Sequence, residues 1–307
     1  MLKIVYMGSP DFAIPSLDAL HLSRHQITAV VTNADKRRGR GGEKSPTIVK
    51  KRAQELGYPV IEAGSRMDDP RLVEEIREQQ PDLIVVVAFR ILPPEILSIP
   101  KIGSVNLHAS LLPKYRGAAP IHWAIMNGEA ETGCSVFMLD ERVDTGQVLR
   151  QLRTRIDSNE TTGDLYDRLK ILGAELLVQT VDQIDQGNVE GVPQDDEQAT
   201  PAPKLFKEDA QLDLTESAEV VHNRIRGLSP FPTAWVTYGN MKMNLYRSKM
   251  GPEIDLEPGE LFFAEGRHLL VGCGEGSVEL TEVQLPGKSR MSGRDFANGY
   301  KLDIRLQ

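Results

Sequence analysis

The run Asp82-Leu-Ile-Val-Val-Val-Ala88 decides the fold, because it is short, continuous and apolar. A strand that is buried on both faces has this pattern, and such strands are typical of parallel sheets covered by helices. The other predicted strands of this half are Leu2–Met7, Gln26–Thr32, Ile102–His108, Thr132–Leu139 and Gln147–Ile156. The predicted helices are Pro10–Leu22, Thr47–Leu56, Asp69–Gln79 and Thr161–Ile184. This alternation predicts an α/β fold with an open, mostly parallel, Rossmann-like sheet.

The pattern changes after Gln186. The segment Gly187–Pro203 is rich in Gly, Pro, Gln and Asp and has little apolar periodicity, which is typical of a linker. A helical stretch at Glu216–Arg226 then precedes short strand-like runs that Gly and Pro separate. These runs are Ala234–Tyr238, Met241–Arg247, Glu260–Phe263, Leu269–Val271 and Val278–Val283. We therefore predict a Rossmann-like domain at 1–186, a linker at 187–207 and an OB-like β-barrel domain at 208–307.

The composition narrows the class of protein. Of the 307 residues 40% are hydrophobic and 26% are charged, as in soluble globular proteins, and no apolar run approaches the length of a membrane span. The amino terminus has the pattern of a buried strand and not of a signal peptide, so we expect a cytoplasmic protein. The two cysteines, Cys134 and Cys273, are too few and too far apart for a disulfide framework or a Cys-x-x-Cys metal pair. We expect free thiols and no bound metal.

The turn after the first strand, Gly8-Ser-Pro-Asp-Phe12, argues against two nucleotide functions. A dinucleotide site would need Gly-x-Gly-x-x-Gly here, and only Gly8 is present. The phosphate-binding pattern Gly-x-x-x-x-Gly-Lys-Ser/Thr is also absent from the sequence. Gly8 either allows a tight strand-to-helix turn or faces a substrate, and both interpretations stay open.

Three polar residues form a set suited to acyl transfer. Asn106 and His108 stand two apart at the end of a predicted strand, so their side chains project from one face, and Asp144 lies in the Gly-containing turn Val143-Asp-Thr-Gly146. Ligands of open α/β proteins bind at the carboxyl ends of strands. The amide can donate to a developing oxyanion, the imidazole can stabilise that charge or carry a proton, and the carboxylate can orient the imidazole. The alternative is a structural histidine and a turn-forming aspartate.

The pattern Asn106-x-His108-x-Ser110-Leu-Leu-Pro113-x-x-Arg116-Gly117-x-x-Pro120, followed by Asp144-Thr-Gly146, resembles the signature of formyltransferases that use 10-formyltetrahydrofolate. Further motifs extend the resemblance to the methionyl-tRNA formyltransferase family over residues 1 to about 300. These motifs are Gly8-Ser-Pro-Asp-Phe-Ala13, Lys204-Leu-x-Lys207-Glu-Asp209 and Pro230-x-Pro-x-Ala-Trp235. The resemblance implies that residues 1–186 form the catalytic domain and that Asn106, His108 and Asp144 are catalytic.

The resemblance also implies a folate co-substrate without a metal. The implied binding residues lie at Ser110–Pro113 and in the loop 86–92; they are Ser110, Leu111, Leu112, Pro113, Val87, Phe89, Ile91 and Leu92. The chain departs from the commonest family pattern at Phe89-Arg90, where Tyr-Gly is frequent, and at Val143, where Leu is usual. The implied reaction moves the formyl group of 10-formyltetrahydrofolate to the α-amino group of methionyl initiator tRNA, for translation initiation.

Residues 35–52 form a strongly basic segment, here called the basic loop. Eight basic and two acidic residues give it a charge of +6 in a chain of net charge −8, so the rest of the chain carries −14. Interleaved glycines and concentrated positive charge suit binding to a phosphate backbone. In the family this loop enters the acceptor stem of initiator tRNA, which implies tRNA contacts along the loop, here through Arg37, Arg38, Arg40 and Lys44. If the second domain also holds RNA, it must do so through a local basic face, for which Lys204 and Lys207 at its entrance are candidates, together with Arg224 and Arg226.

Two other functions remain open at the level of sequence. The first is a formyltransferase that acts on an amino sugar nucleotide or on a glycinamide ribonucleotide, which would have no evident need of the basic loop. The second is a non-catalytic RNA-binding protein on an enzyme scaffold, which would not need Asn106, His108 and Asp144 together. Nothing in the sequence requires more than a monomer.

Overall fold

Strands and helices alternate along the first half of the chain, and strands dominate the end. The computed structural model describes residues 1–37 and 44–307. The strands are β1 (Lys3–Gly8), β2 (Gln26–Asn33), β3 (Lys36–Arg37), β4 (Lys44–Ser45), β5 (Val60–Ala63), β6 (Leu83–Val87), β7 (Gly103–His108), β8 (Glu131–Met138), β9 (Val148–Arg155), β10 (Ala234–Tyr238), β11 (Met241–Met250), β12 (Leu261–Ala264), β13 (His268–Gly272), β14 (Ser277–Gln284) and β15 (Met291–Ser292). The α-helices are α1 (Ile14–His21), α2 (Ile48–Glu55), α3 (Pro70–Glu78), α4 (Pro94–Leu97), α5 (Pro120–Met126), α6 (Thr162–Gln186), α7 (Ala218–Gly227) and α8 (Gly293–Gly299).

The chain divides into two compact units. The first comprises Met1–Gly117, Gly133–Arg153 and Asp167–Pro201, and the second comprises Ala118–Thr132, Thr154–Tyr166 and Ala202–Gln307. None of the helices in the described parts of the chain combines the length and the apolar character needed to cross a bilayer. Within residues 1–37 and 44–307, no three or more His, Cys, Asp or Glu side chains are grouped so that they could hold a metal ion.

A seven-stranded sheet in the order β5-β2-β1-β6-β7-β8-β9 is the centre of the first unit. The pairs from β5 to β7 are parallel and β7 pairs antiparallel with β8, so the prediction of a mostly parallel α/β sheet is confirmed. All five residues of β6 are buried, as the apolar run from Leu83 to Val87 predicts. The carboxyl end of β7 lies between β6 and β8 and carries the Asn106-x-His108 pair.

Local signals explain where the flanking helices begin. Thr47 caps α2 by accepting a hydrogen bond from the Lys50 amide, and Asp69 caps α3 by accepting one from Arg71. The stretch predicted as one helix over Pro10–Leu22 is instead a 3-10 turn at Asp11–Ala13 followed by α1. A Cβ on Gly8 would lie only 2.7 Å from Ala13 Cβ, so glycine permits this close turn.

An antiparallel sheet in the order β10-β11-β14-β13-β12 forms the second unit, with β15 paired to β14. The carboxyl-terminal residues join its two edge strands. The Leu306 amide donates to the Gly259 carbonyl just before β12 (2.8 Å), and the Gln307 amide donates to Thr237 of β10 (3.0 Å). The sheet is therefore closed, as the OB-like barrel prediction requires. The interior is apolar and includes the fully buried Phe296 of α8, which packs edge-on against Tyr238.

Candidate active site

His108 lies buried at the end of β7 and uses both ring nitrogens. Its Nε2 is 2.8 Å from the carbonyl oxygen of Tyr115. Because a carbonyl only accepts hydrogen bonds, Nε2 carries a proton and donates it. On the other side of the ring, Nδ1 lies 3.8 Å from Oδ2 of Asp144. Nδ1 is therefore a lone-pair acceptor in the neutral ring and becomes a donor only in the imidazolium form.

Asp144 is held by the turn between β8 and β9. Its φ of 55° lies in the left-handed region, which Asp tolerates better than most residues. The Gly117 amide donates to Oδ2 of Asp144 at 2.8 Å, so the same oxygen that faces His108 is oriented by the backbone. A Cβ on Gly146 would lie 1.7 Å from the Met138 carbonyl oxygen, so this turn requires glycine. The structure brings His108 and Asp144 together from segments 36 residues apart in the sequence.

Asn106 is half-buried two residues before His108 on β7. In the ladders it pairs with Val86 of β6 and with Phe137 of β8. Alternation along the strand places its side chain on the same face as that of His108, while Leu107 between them points to the opposite face. An amide, an imidazole and a carboxylate thus share one end of the sheet.

The apolar segment after β7 is held by hydroxyl and amide side chains. Ser110 donates through Oγ to the Lys114 carbonyl (2.6 Å), so its hydroxyl closes the turn. Ser135 of β8 donates to the Ser110 carbonyl (2.7 Å) and accepts from the Leu112 amide (3.1 Å). Gln151 of β9 donates to the Leu112 carbonyl at 2.8 Å. Leu112 is buried, whereas Leu111 and Pro113 are half-buried.

Gln194, to which no sequence pattern points, supports this site. The Gln194 amide group donates to the carbonyl oxygens of Asp144 (2.9 Å) and Gly146 (2.7 Å). The same side chain accepts from Nε (3.0 Å) and Nη2 (2.9 Å) of Arg116. Arg116 also pairs with Asp196 at 2.8 Å. Gln194 thus ties the Asp144 turn to the segment after β7, although it lies in the stretch that has a linker composition.

The loop after β6 combines apolar side chains with an unusual arginine. Val87 and Leu92 are buried, Phe89 is half-buried, and Ile91 is 70% exposed. Nη1 of Arg90 donates to the Gly64 carbonyl at 2.7 Å, and the guanidinium lies 5.5 Å from the centre of the Phe89 ring. Nε and Nη2 of Arg90 are buried and have no hydrogen-bond partner among the described residues. Burial lowers the pKa of the Arg90 guanidinium.

The structure describes only some of the basic residues that are predicted to bind tRNA. Arg38 and Arg40 lie outside the described residues, and Arg37 and Lys44 belong to the paired strands β3 and β4. On the second unit, Lys204 and Lys207 are exposed.

Three further basic residues are engaged within the protein. Lys50 binds Asp35 and Glu62 at 2.9 and 2.6 Å, and Arg52 binds Asp18 at 2.7 Å. Arg226, a further candidate for RNA binding, is instead buried, where its Nε donates to Asn223 at 2.8 Å.

Comparisons with known proteins define the class. Residues 2–181 match the formyl transferase family, and residues 204–301 match the formyl transferase C-terminal domain. In structure, the chain is similar to an N-formyltransferase from Helicobacter canadensis solved with folinic acid and dTDP-3-aminofucose, with a TM-score of 0.69 at 20% identity over 91% of this chain and 99% of the other. At that identity the likeness shows the fold alone.

Methionyl-tRNA formyltransferases are much more similar to this chain in sequence than the N-formyltransferase above. A methionyl-tRNA formyltransferase of Geobacter metallireducens is 42% identical over 99% of this chain and 98% of its own length. One from Clostridium novyi is 39% identical over the same shares of both chains. The chain belongs to the methionyl-tRNA formyltransferase family.

Proposed function

We propose that the protein transfers the formyl group of 10-formyltetrahydrofolate to the α-amino group of methionyl initiator tRNA, giving the formylated tRNA used in translation initiation. One observation carries this proposal. His108 and Asp144 converge at the carboxyl end of β7 in a chain that matches methionyl-tRNA formyltransferases over 99% of its length. The single chain supplies the whole set of proposed catalytic residues, which supports a monomer. We include a cytoplasmic location in the proposal, because the proposed acceptor is an aminoacyl-tRNA used in translation.

In this proposal His108 acts as the imidazolium. Its Nε2 proton is committed to the Tyr115 carbonyl, so donation to a substrate oxygen must come from Nδ1. The Asp144 carboxylate faces Nδ1 at 3.8 Å, which is beyond hydrogen-bond distance, so in this proposal the N–H of Nδ1 can donate to a substrate oxygen. The imidazolium then stabilises the formyl oxygen as it gains negative charge, while the amine nitrogen bonds to the formyl carbon. When this intermediate collapses, the bond from the formyl carbon to N10 breaks, N10 takes up a proton and tetrahydrofolate leaves.

Asn106 is the second donor in the proposal. Its side-chain amide shares the strand face of His108 and would donate to the same oxygen. A well-placed donor of this kind lowers a barrier by about 3–4 kcal/mol. Asp144 has a second role, because its carboxylate would accept the proton lost by the attacking amine, directly or through a water.

The folate donor fits the side chains next to this site. Ser110–Pro113 and the loop 86–92 offer apolar surface at Leu111, Pro113, Phe89 and the exposed Ile91. Nε and Nη2 of Arg90, which have no hydrogen-bond partner among the described residues, offer three N–H groups that a polar or anionic ligand would satisfy. We propose that Val87, Leu92 and Leu112 support this surface from below, because they are buried. We assign the Ser110 hydroxyl a role in holding the loop, and not in binding the folate, because it donates a hydrogen bond to the Lys114 carbonyl.

For the tRNA, we propose contacts from the basic loop through Arg37, Arg38, Arg40 and Lys44. Lys204 and Lys207 of the second unit are exposed and would add contacts to phosphates. Lys50 and Arg52 are engaged in ion pairs, so they are assigned no phosphate contact.

The test is a formylation assay with purified protein and 10-formyltetrahydrofolate. The acceptors are methionyl initiator tRNA, methionyl elongator tRNA and a dTDP-linked amino sugar. We expect rapid formylation of the initiator tRNA, much slower reaction of the elongator tRNA and none of the sugar. Formylation of the sugar nucleotide without formylation of tRNA would overturn the proposal in favour of the sugar-acting class.

A further inference from the structure

Residues 192–201, here called the clamp segment, contact both of the stretches of chain that hold the pair His108 and Asp144. The segment belongs to the first unit, together with both members of the pair. It begins beside β9, where the Val148 amide donates to the Val192 carbonyl at 2.9 Å and the Val192 amide donates to the Val148 carbonyl at 2.8 Å. These two hydrogen bonds fix the start of the segment, so the side chains that follow can act from a defined position.

Gln194 of the clamp segment holds the backbone of the Asp144 turn. Its Nε2 donates to the carbonyl oxygens of Asp144 at 2.9 Å and of Gly146 at 2.7 Å. The φ of 55° at Asp144 lies in the left-handed region, which is unfavourable for most residues other than glycine. The two hydrogen bonds stabilise this conformation. They thereby help to decide where Oδ2 of Asp144 lies, 3.8 Å from Nδ1 of His108.

Thr200, at the other end of the clamp segment, holds the backbone that contacts His108. The Tyr115 amide donates to Oγ1 of Thr200 at 2.9 Å, and the Arg116 amide donates to the Thr200 carbonyl at 2.9 Å. The peptide unit between Tyr115 and Arg116 therefore has its N–H held by the clamp segment. The C=O of the same unit accepts the hydrogen bond from Nε2 of His108. The clamp segment thus acts on the His108 ring through a single peptide unit.

The Arg116 guanidinium connects the two ends of this arrangement. Its Nε and Nη2 donate to Oε1 of Gln194 at 3.0 and 2.9 Å, and Nη2 also donates to Oδ1 of Asp196 at 2.8 Å. Hydrogen bonds from a charged donor are stronger than those between neutral groups. Because Arg116 engages Oε1 of Gln194, Nε2 is the end of the amide that faces the carbonyl oxygens. The next amide, that of Gly117, donates to Oδ2 of Asp144, so the chain on both sides of Arg116 contacts the pair.

We propose that Gln194 and Thr200 are positioning residues, which keep the His108 ring and the Asp144 carboxylate at the separation that formyl transfer needs. A segment that only connected two domains would need no side chain within reach of this pair. A displacement of about 1 Å at a reacting group can cost about 10²-fold in rate, so contacts that never touch a substrate can still govern kcat. This inference rests on the proposed function and adds to it two residues that act through others.

The first test measures formylation of methionyl initiator tRNA by full-length variants at Gln194. Gln194→Met keeps the length of the side chain and removes its hydrogen bonds to the turn and to Arg116. Gln198→Met is the matched control, because Gln198 lies exposed in the same segment and bonds Asp195 of that segment at 2.7 Å. We expect kcat of Gln194→Met to fall about ten- to hundredfold with KM for both substrates unchanged. The control should keep the kcat of the unmodified protein.

The second test uses Thr200 and does not depend on whether Gln194→Met folds. Thr200→Val keeps the shape of the side chain and removes the acceptor for the Tyr115 amide, whereas Thr200→Ser keeps that acceptor. We expect kcat to fall about three- to tenfold in Thr200→Val and to return to the unmodified value in Thr200→Ser. A kcat equal to that of the Gln198→Met control, in Gln194→Met or in Thr200→Val, would overturn the inference for that residue.

A double-mutant cycle separates positioning from a structural role. If Gln194 acts through Asp144, then Gln194→Met should lower single-turnover rates by less than about twofold in a protein that already carries Asp144→Asn. A structural contribution would instead lower the rate by the same factor with either residue at position 144, and that result would overturn the inference. The proposed function would survive it, because that function fails only if the unmodified protein does not formylate methionyl-tRNA.

Discussion

At His108, backbone geometry decides which nitrogen can do chemistry. His108 donates its Nε2 proton to the Tyr115 carbonyl. Asp144, which accepts a hydrogen bond from the Gly117 amide, faces Nδ1. These contacts orient the ring and decide which of its nitrogens can face a substrate. Activity is therefore expected to respond most strongly to changes in charge or in donor number at this point.

The role of Asn106 as a donor is tested by Asn106→Ala. Loss of one oxyanion donor costs about 10²–10³-fold in kcat. We expect a fall of this size, with little change in KM for either substrate, because the amide binds the oxygen only as it gains charge. Steady-state kinetics on purified protein measure both values. Asn159→Ala, on an exposed loop, is the control; a variant Asn106→Ala with the kcat of this control would contradict the role.

For Asp144, removing the charge while keeping the shape gives the sharpest experiment. In Asp144→Asn the side-chain oxygen can still accept from the Gly117 amide, so the turn should persist. The negative charge beside His108 and the proton acceptor are both lost, and we expect kcat to fall by at least about 10²-fold. The thermal melting temperature should stay within a few degrees.

The control for this substitution lies in the same turn. Asp140 is exposed, accepts from the Thr145 hydroxyl at 2.8 Å and has no role in the proposed chemistry, so Asp140→Asn should retain most of the activity. Equal losses of kcat in the two variants would mean that the turn, and not the charge of Asp144, matters.

At the level of elements, the sequence allows prediction only where a pattern repeats or a motif is dense. The apolar run of β6 predicts a buried strand in a mostly parallel sheet, and the structure confirms it. The spacing of Asn106 and His108 points to the carboxyl end of β7 as the functional end of that sheet, which stays a prediction. Gln194 carries no such signal, because an isolated amide in an aperiodic segment is indistinguishable from a surface residue. A barrel was predicted, but the part that Leu306 and Gln307 play in closing it was not, since it depends on two long-range backbone hydrogen bonds and not on a strand pattern. Arg226 was a candidate for RNA binding because it is basic. Its burial was not predictable, since a charged side chain is normally exposed.

The basic loop illustrates how an element is anchored. Lys50 of α2 bonds both Asp35, the first residue of the loop, and Glu62 of β5. The helix start is fixed as well, since the Thr47 hydroxyl lies 2.8 Å from that of Thr32 on β2. Lys50 is thus a positioning residue at the base of the loop.

The anchoring role of Lys50 is tested by Lys50→Met. The substitution leaves Asp35 and Glu62 without their shared cation, so the loop base is less well fixed and two free carboxylates repel RNA. We expect KM for methionyl-tRNA to rise about three- to tenfold, while kcat and KM for the folate stay unchanged. Lys51→Met removes the same charge from the next, exposed position. If both variants raise KM equally, the effect comes from net charge and Lys50 has no special role.

At the scale of the whole molecule, acid stability depends on buried histidine. His222 donates from Nε2 to the Ser158 carbonyl and its Nδ1 lies 2.8 Å from the Ser248 hydroxyl, all within the second unit. Burial, the largest cause, lowers the pKa of His222, and the charge of Arg226 lowers it further. The folded protein therefore holds this ring neutral at a pH where the unfolded chain binds a proton. Stability from His222 is complete above the unfolded pKa, about 6.5, and is lost as the pH falls from there through the folded pKa.

Urea denaturation at a series of pH values tests this dependence. The free energy of unfolding should fall below about pH 6.5, with a slope of up to about 1.4 kcal/mol per pH unit for the one proton involved. His222→Gln should be less stable at neutral pH, because two buried hydrogen bonds change, but its stability should depend less on pH. His268→Gln, at an exposed position, should keep the slope of the unmodified protein. An unchanged slope in His222→Gln would rule out this residue as the source.

Charge is divided unevenly along the chain, and this division should govern how RNA binds. The basic loop carries +6 and the remainder −14, so tRNA is attracted locally and repelled elsewhere. Replacing Arg37, Arg38 and Arg40 with Ala should raise KM for methionyl-tRNA and reduce its salt dependence by about one unit of log–log slope per lost phosphate contact. KM for the folate should not change.

The control replaces Arg66, Arg71 and Arg77, three exposed arginines of the first unit, with Ala and makes the protein more negative by the same three charges. Repulsion of tRNA by the added negative charge would act in both triple variants. If KM for methionyl-tRNA rises more, and its salt dependence falls more, in the loop variant than in the control, the phosphate contacts belong to the loop. Identical responses would remove the loop from the tRNA interface.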